Sequence, residues 1–268
     1  MSLATPTKTV QKLQTSLQTK AKAEPAFRFY ALWDKVCRPD VIEEAYRRCR
    51  ANGGAPGIDG ISFDKIEARG RKQWLEGIMH ELRSGTYRPQ PLLRVWIPKS
   101  NGGQRPLGIP PIRDRVVQMA VVLVIGPIFE ADMLANQYGF RPELDAKMAV
   151  RQVLWHITQG GRREVVDADL RDYFTTIPHG PLMRCLIRRI ADGRLLRVIK
   201  GWLTVPVVER VGRRVIPYSN GPEDEERDTT GLGSKPDAGQ SLLPALSAGL
   251  AQPRAPGSTE CPRRQLCG

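Results

Sequence analysis

The stretch Val116–Val124, VVQMAVVLV, is apolar on nearly every side of a helix, and it constrains the fold of this chain more than any other feature. A helix with no polar face has to be covered all round, so this one reads as fully buried. The apolar run carries on from Met119 to Phe129, but a bilayer span needs about 20 such residues. The first 25 residues, rich in Thr, Gln, Lys and Ala, hold no apolar core of the kind a secretory leader carries. Five cysteines, odd in number and without a CxxC pair, suggest neither a disulfide framework nor a zinc site. A reduced, cytoplasmic protein without a membrane partner is the expectation.

Charge narrows the class of partner. The net charge is +13, and it is unevenly spread. Residues 1–220 hold 36 Lys and Arg against 21 Asp and Glu, whereas 221–268 hold 5 against 7. A surface that basic suits a polyphosphate backbone and exceeds what solubility requires. With 41% apolar residues the chain can still build a core of one or two domains.

Periodicity places the elements. Residues 1–25 show little apolar pattern and read as a mobile or weakly helical lead-in. Phe27–Cys37 reads as a helix with Tyr30, Trp33 and Cys37 on its buried side, broken by Pro39, after which a second helix runs to about Arg50. The Gly- and Pro-punctuated NGGAPGIDG is a loop. Phe63–Ser84 is helical again, with Ile66, Trp74, Leu75, Ile78 and Leu82 inward. Leu93, Val95 and Ile97 alternate with Arg94 and Trp96, and SNGG followed by QRPLGIP completes a hairpin signature. Further helices are expected over Ala146–Ile157, Leu182–Ile190 and Leu195–Leu203, and Pro206 ends the last.

Glu164–His179 reads EVVDADLRDYFTTIPH. If EVVDADL is extended, Val166, Ala168 and Leu170 face a core while Val165, Asp167 and Asp169 face outward. Two carboxylates roughly 7 Å apart on a rigid open face could hold a hard cation such as Mg²⁺. Two ordinary aspartates at a solvated strand end would look the same in the sequence.

Four collinear motifs carry a resemblance: GAPGIDG (Gly54–Gly60), RVWIPKSNGGQRPLGIPPIRDRVVQ (Arg94–Gln118), QYGFRP (Gln137–Pro142) and VVDADLRDYFTTIPH. From Phe27 to Val208 the chain resembles the reverse transcriptase/maturase family encoded by bacterial group II introns. The resemblance implies an α+β fold, the fingers and part of the palm of a right-hand polymerase. It implies an RNA-directed DNA polymerase that uses Mg²⁺ and deoxynucleoside triphosphates on an RNA template and DNA primer, and that binds its own intron RNA to assist splicing. Residue by residue, it makes Asp169 the catalytic metal ligand, joined by the backbone carbonyl of Leu170. Asp167 would support it at most. Phe174 becomes the aromatic that crowds the sugar 2′ position, with Thr175 standing where the family often has aspartate. Lys99 and Arg105, flanking SNGG, become cations for the incoming triphosphate.

Arg113, Arg115 and Arg141 match positions near template and primer, although a salt bridge to Asp114 or Glu143 would account for them equally. Tyr138 and Phe140 are expected to pack, and His179 to cap the helix it begins. IADG (Ile190–Gly193) lies at a helix end and lacks a second aspartate.

The character of the chain changes after Asn220. From Gly221 onward there is no Val, Ile, Met, Phe, Tyr or Trp. Such a stretch cannot offset its ordering entropy by burial, so disorder is expected. The family's next essentials, a PQG segment and a Tyr/Phe-Ala-Asp-Asp box, do not occur in these 268 residues. The domain reading is therefore a flexible lead-in over 1–25, a partial reverse transcriptase domain over 26–215, and a disordered tail over 216–268 translated out of frame. A chain of this kind is expected to be inactive alone; the rival reading is a non-catalytic intron-RNA-binding remnant.

Overall fold

The computed structural model describes residues 7–98, 102, 104–168, 177–212 and 214–217. Its centre is the apolar helix anticipated above. That helix, α6 in chain order, spans Ile112–Glu130, and Ile112, Val116, Val117, Ala120, Val121 and Val124 have no exposed surface. Each fully buried aliphatic of this size contributes about 1.5–3 kcal/mol relative to exposure, so α6 is the main source of cohesion.

Two helices lie along it. Helix α1, Lys8–Ala23, buries Val10, Leu17 and Ala21 in the core, and Gln14 donates its side-chain amide to the carbonyl of Leu123 at 3.0 Å. The lead-in expected to be mobile or weakly helical is an ordered helix over Lys8–Ala23. Helix α3, Pro39–Asn52, has Pro39 in its first turn, where a missing N–H costs nothing. Gly53, at φ +67°, ends it.

Between α1 and α3 the sequence reading needs correction. Phe27–Leu32 is not helical: the N–H of Phe29 donates to Arg189, its carbonyl accepts from Ala191, and Tyr30 is 71% exposed. Only Trp33–Val36 forms a helical turn, α2. The Phe63–Ser84 region divides at Gly70 (φ +100°) into α4, Phe63–Arg69, and α5, Arg71–Ser84. A left-handed backbone there, which glycine adopts without strain, lets the chain change direction.

A four-stranded sheet has the order β2-β1-β3-β4. Strands β1 (Leu92–Pro98) and β2 (Gln104–Ile109) form the anticipated hairpin, with Trp96 opposite Pro106 and Ile97 opposite Arg105. Strand β3 (Val207–Val211) then joins β1 in parallel, and β4 (Arg214–Pro217) folds back on β3 around Gly212 at φ +62°. Regular structure therefore continues past residue 215, in a strand pair that turns at Gly212. The tail from 218 lies outside the described residues.

Three helices complete the body. Helix α7, Ala146–Thr158, is capped by Asp145, which accepts from the Met148 N–H at 2.8 Å. None of its residues is buried. Helices α8 (His179–Arg189) and α9 (Gly193–Leu203) pack inward through Leu182, Leu186, Leu195, Ile199 and Trp202. The cap position of α8 is held by Pro178, and His179, expected to cap, is the first residue of the helix.

Two buried polar residues join these pieces. Asp192 caps two helices at once: one oxygen accepts from Leu32 and Trp33 at 2.9 and 2.8 Å, the other from Arg194 and Leu195 at 3.1 and 3.2 Å. Arg189 donates to the carbonyls of Ala21, Glu24 and Phe27 and pairs with Asp132 at 3.0 Å, fastening the end of α1 to α8.

Candidate nucleic-acid interface

Three of the four motifs meet around α6. The GAPGIDG loop sits on its N-terminus because glycine allows backbone to lie against backbone there. A Cβ on Gly57 would stand 2.5 Å from the Pro111 nitrogen. Gly54, at φ +105°, leaves room for Arg115, whose guanidinium donates to the carbonyls of Ala55 at 2.6 Å and Gly53 at 3.3 Å. Arg210 of β3 reaches the carbonyl of Ile58 at 3.1 Å. The loop is thereby fixed beside the base of the β1–β2 hairpin, whose second strand runs into α6. Sequence reasoning missed Arg210, which lies on the same short strand as the buried Val207 and Val208.

The other arginines are also engaged within the chain. Arg113 pairs with Glu81 and lies 4.8 Å over the Tyr87 ring. Arg141 donates to Glu130 at 2.9 Å and to the carbonyls of Leu134 and Gln137 at 2.8 and 2.7 Å, tying QYGFRP to the C-terminus of α6. Neither of the anticipated acidic partners is used. Asp114 is buried and accepts from the Tyr87 hydroxyl at 2.7 Å and the Gln90 N–H at 2.8 Å. Burial pushes its carboxyl above the usual carboxylate range. Trp202 donates to the same Tyr87 oxygen at 3.0 Å, so α6, α9 and the approach to β1 share one polar network. Phe140, expected to pack, is 63% exposed, with a left-handed backbone at φ +58°.

The acidic motif is only partly placed. Residues 161–168 form no strand, and Val166, expected to face a core, is 92% exposed. Asp167 is exposed beside it. Asp169, Leu170, Phe174 and Thr175 lie outside the described residues, as do Lys99 and the side chain of Arg105. Among the described residues no three His, Cys, Asp or Glu side chains gather to hold a metal ion. Burial pushes the Cys37 thiol up to about 11 and the Cys49 thiol up to about 12. No described helix is long and apolar enough to cross a membrane.

Helix α1 supplies a surface that the sequence reading overlooked. Its face away from α6 exposes Lys8, Lys12, Thr15, Ser16 and Lys20 along an open groove of about 670 Å³; the helix itself carries no Asp or Glu, and Glu24 at its end pairs with Lys20 at 3.0 Å. The signal was the spacing Val10, Leu13, Leu17, Ala21, one apolar stripe among Thr, Gln and Lys.

Comparison with known proteins agrees with the motifs. Residues 97–225 match the reverse transcriptase (RNA-dependent DNA polymerase) family. Protein YkfC of Escherichia coli (strain K12) is 39% identical over 201 residues, which cover 73% of this chain and 52% of that protein. The group II intron-encoded protein LtrA of Lactococcus lactis subsp. cremoris is 32% identical over 189 residues, covering 68% of this chain and 30% of LtrA. The putative COX1/OXI3 intron 1 protein of Saccharomyces cerevisiae is 27% identical over 177 residues, covering 65% of this chain and 20% of that protein. Among solved structures, a partial Cas6-RT-Cas1–Cas2 complex aligns with a TM-score of 0.47 at 21% identity, covering 82% of this chain and 33% of that one. The chain spans about half the length of YkfC and under a third of LtrA.

Proposed function

Since this chain belongs to the group II intron-encoded reverse transcriptase family, a family of RNA-directed DNA polymerases, we propose that it forms the fingers and the first part of the palm of such an enzyme. The observation that carries this reading is the assembly around α6. GAPGIDG and the RPLGIPP hairpin meet at one end of the helix and QYGFRP at the other, so motifs far apart in sequence share one frame.

Within that frame, Asp169 and the carbonyl of Leu170 would hold the divalent ion, Mg²⁺, that offsets the charge developing on the phosphates. Lys99 and Arg105 would steady the triphosphate from the hairpin, and Phe174 would favour deoxynucleotides. Arg113, Arg115 and Arg141 act on template and primer through the loops they fix in place. Intron RNA is the natural partner by kinship with LtrA, gripped by phosphate contacts along the basic body, the exposed lysines of α1 among them. The setting is cytoplasmic.

Two-metal polymerisation requires carboxylates from more than one strand, and these 268 residues hold neither a PQG nor an Ala-Asp-Asp box. The polypeptide by itself therefore binds nucleic acid without extending a primer. A primer-extension assay with Mg²⁺ and deoxynucleotides on an RNA template tests this. The expected result is no extension by the 268-residue chain. Robust synthesis abolished by Asp169→Ala would show that the chain carries a complete polymerase centre.

A further inference from the structure

Trp96 stands half exposed (47%) on the middle strand of the sheet, an unusual place for the largest apolar side chain. Its neighbours hold it without covering it. The indole N–H donates to Glu209 on β3 at 3.2 Å, and the Arg94 guanidinium lies 5.7 Å from the ring centre. Across the register, Pro106 faces Trp96, and Gly108 and Glu209 face Arg94. Gly108 has no side chain and Pro106 a short one, so neither rises above the indole. The ring is thus anchored at its polar edge, flanked by a cation, and open to solvent.

We propose that Trp96 is a stacking platform for an unpaired base of single-stranded nucleic acid. Every base has a π face, and an aromatic ring beside a positive charge suits a strand without reading its sequence. Trp96, even with the exposed Val211 and Ile216 of the same sheet, offers too little apolar surface for a protein partner, which needs about 800 Å² from each side. Glu209 does not oppose this role, because its carboxylate is taken up by the indole N–H and faces Arg94 across the strands. The inference rests on the nucleic-acid-binding reading above and assigns that binding a specific contact.

Fluorescence anisotropy with labelled oligo(U), oligo(dT) and a blunt duplex of equal length separates the possibilities, using the full chain and its Trp96→Ala and Trp96→Phe variants. Trp96→Ala should weaken binding to both single strands roughly tenfold, the loss of one stacked base, and leave the duplex unaffected. Trp96→Phe should recover most of the affinity. Equal losses on single strand and duplex, no loss on either, or a loss confined to oligo(U) would overturn the proposal, since stacking ignores the 2′-hydroxyl. So would a change in self-association by light scattering. If Trp96→Ala melts early, Trp96→Phe decides: a restored melt with unrestored affinity also overturns it. Should the unmodified chain bind none of the three probes, the nucleic-acid-binding reading fails first, and this contact with it.

Discussion

Glu44 and Asp114 are both buried carboxylates on helices of the core, and their surroundings set them in opposite directions. Burial alone would raise Glu44, but Arg47 at 2.7 Å and Arg48 at 2.8 Å outweigh it and hold the carboxyl below its ordinary range. Its contribution to stability is therefore present above the unfolded pKa, about 4.3, and is lost as pH falls through the folded one. Asp114 has the reverse sign. Burial keeps it protonated to higher pH in the folded chain, so the stability it contributes is complete at low pH and fades as pH rises through its folded pKa. Urea denaturation across pH 3 to 7 should show stability falling on acidification, with a shallower fall in Glu44→Gln. An identical slope in that variant would mean the Glu44 pairs contribute nothing to the acid response.

At the scale of elements, α1 is tied to the body through its apolar stripe and through Arg189, which holds the carbonyls at its end. Leu17→Ala should cost about 2–4 kcal/mol if the helix is integral, and should speed tryptic cleavage at Lys20 and Lys22. A variant with unchanged stability and cleavage would show a helix that detaches freely. The same helix shows what the sequence could yield. Its stripe is spaced for a helix, but Thr and Gln between the apolar residues masked it. The α6 run and the β1–β2 hairpin were legible because their patterns are local and strong. Phe27–Leu32 was not, because its aromatic spacing also fits a helix, and what makes it extended is a bridge to Ile190 far along the chain. The parallel pairing of β3 with β1 is equally remote in sequence, and no local pattern specifies it. Of the site, the sequence named the motifs but not their holders: Arg115 turned out to clamp a loop, and Arg210 joined it from a strand beyond Pro206 that the sequence reading did not assign.

For the whole molecule, the proposed function rests on the asymmetry of charge, with residues 1–220 holding 36 Lys and Arg against 21 Asp and Glu, which suits a nucleic-acid backbone. Phosphate contacts release counterions, so affinity should fall linearly with salt on a logarithmic plot, with a slope near −0.9 for each phosphate neutralised on a duplex. The most direct test of that claim is a salt titration of binding between the 268-residue chain and an RNA template annealed to a DNA primer. The account predicts clear binding at low salt, weakening steeply with a slope equivalent to several phosphates. Weak binding that does not change with salt would contradict it.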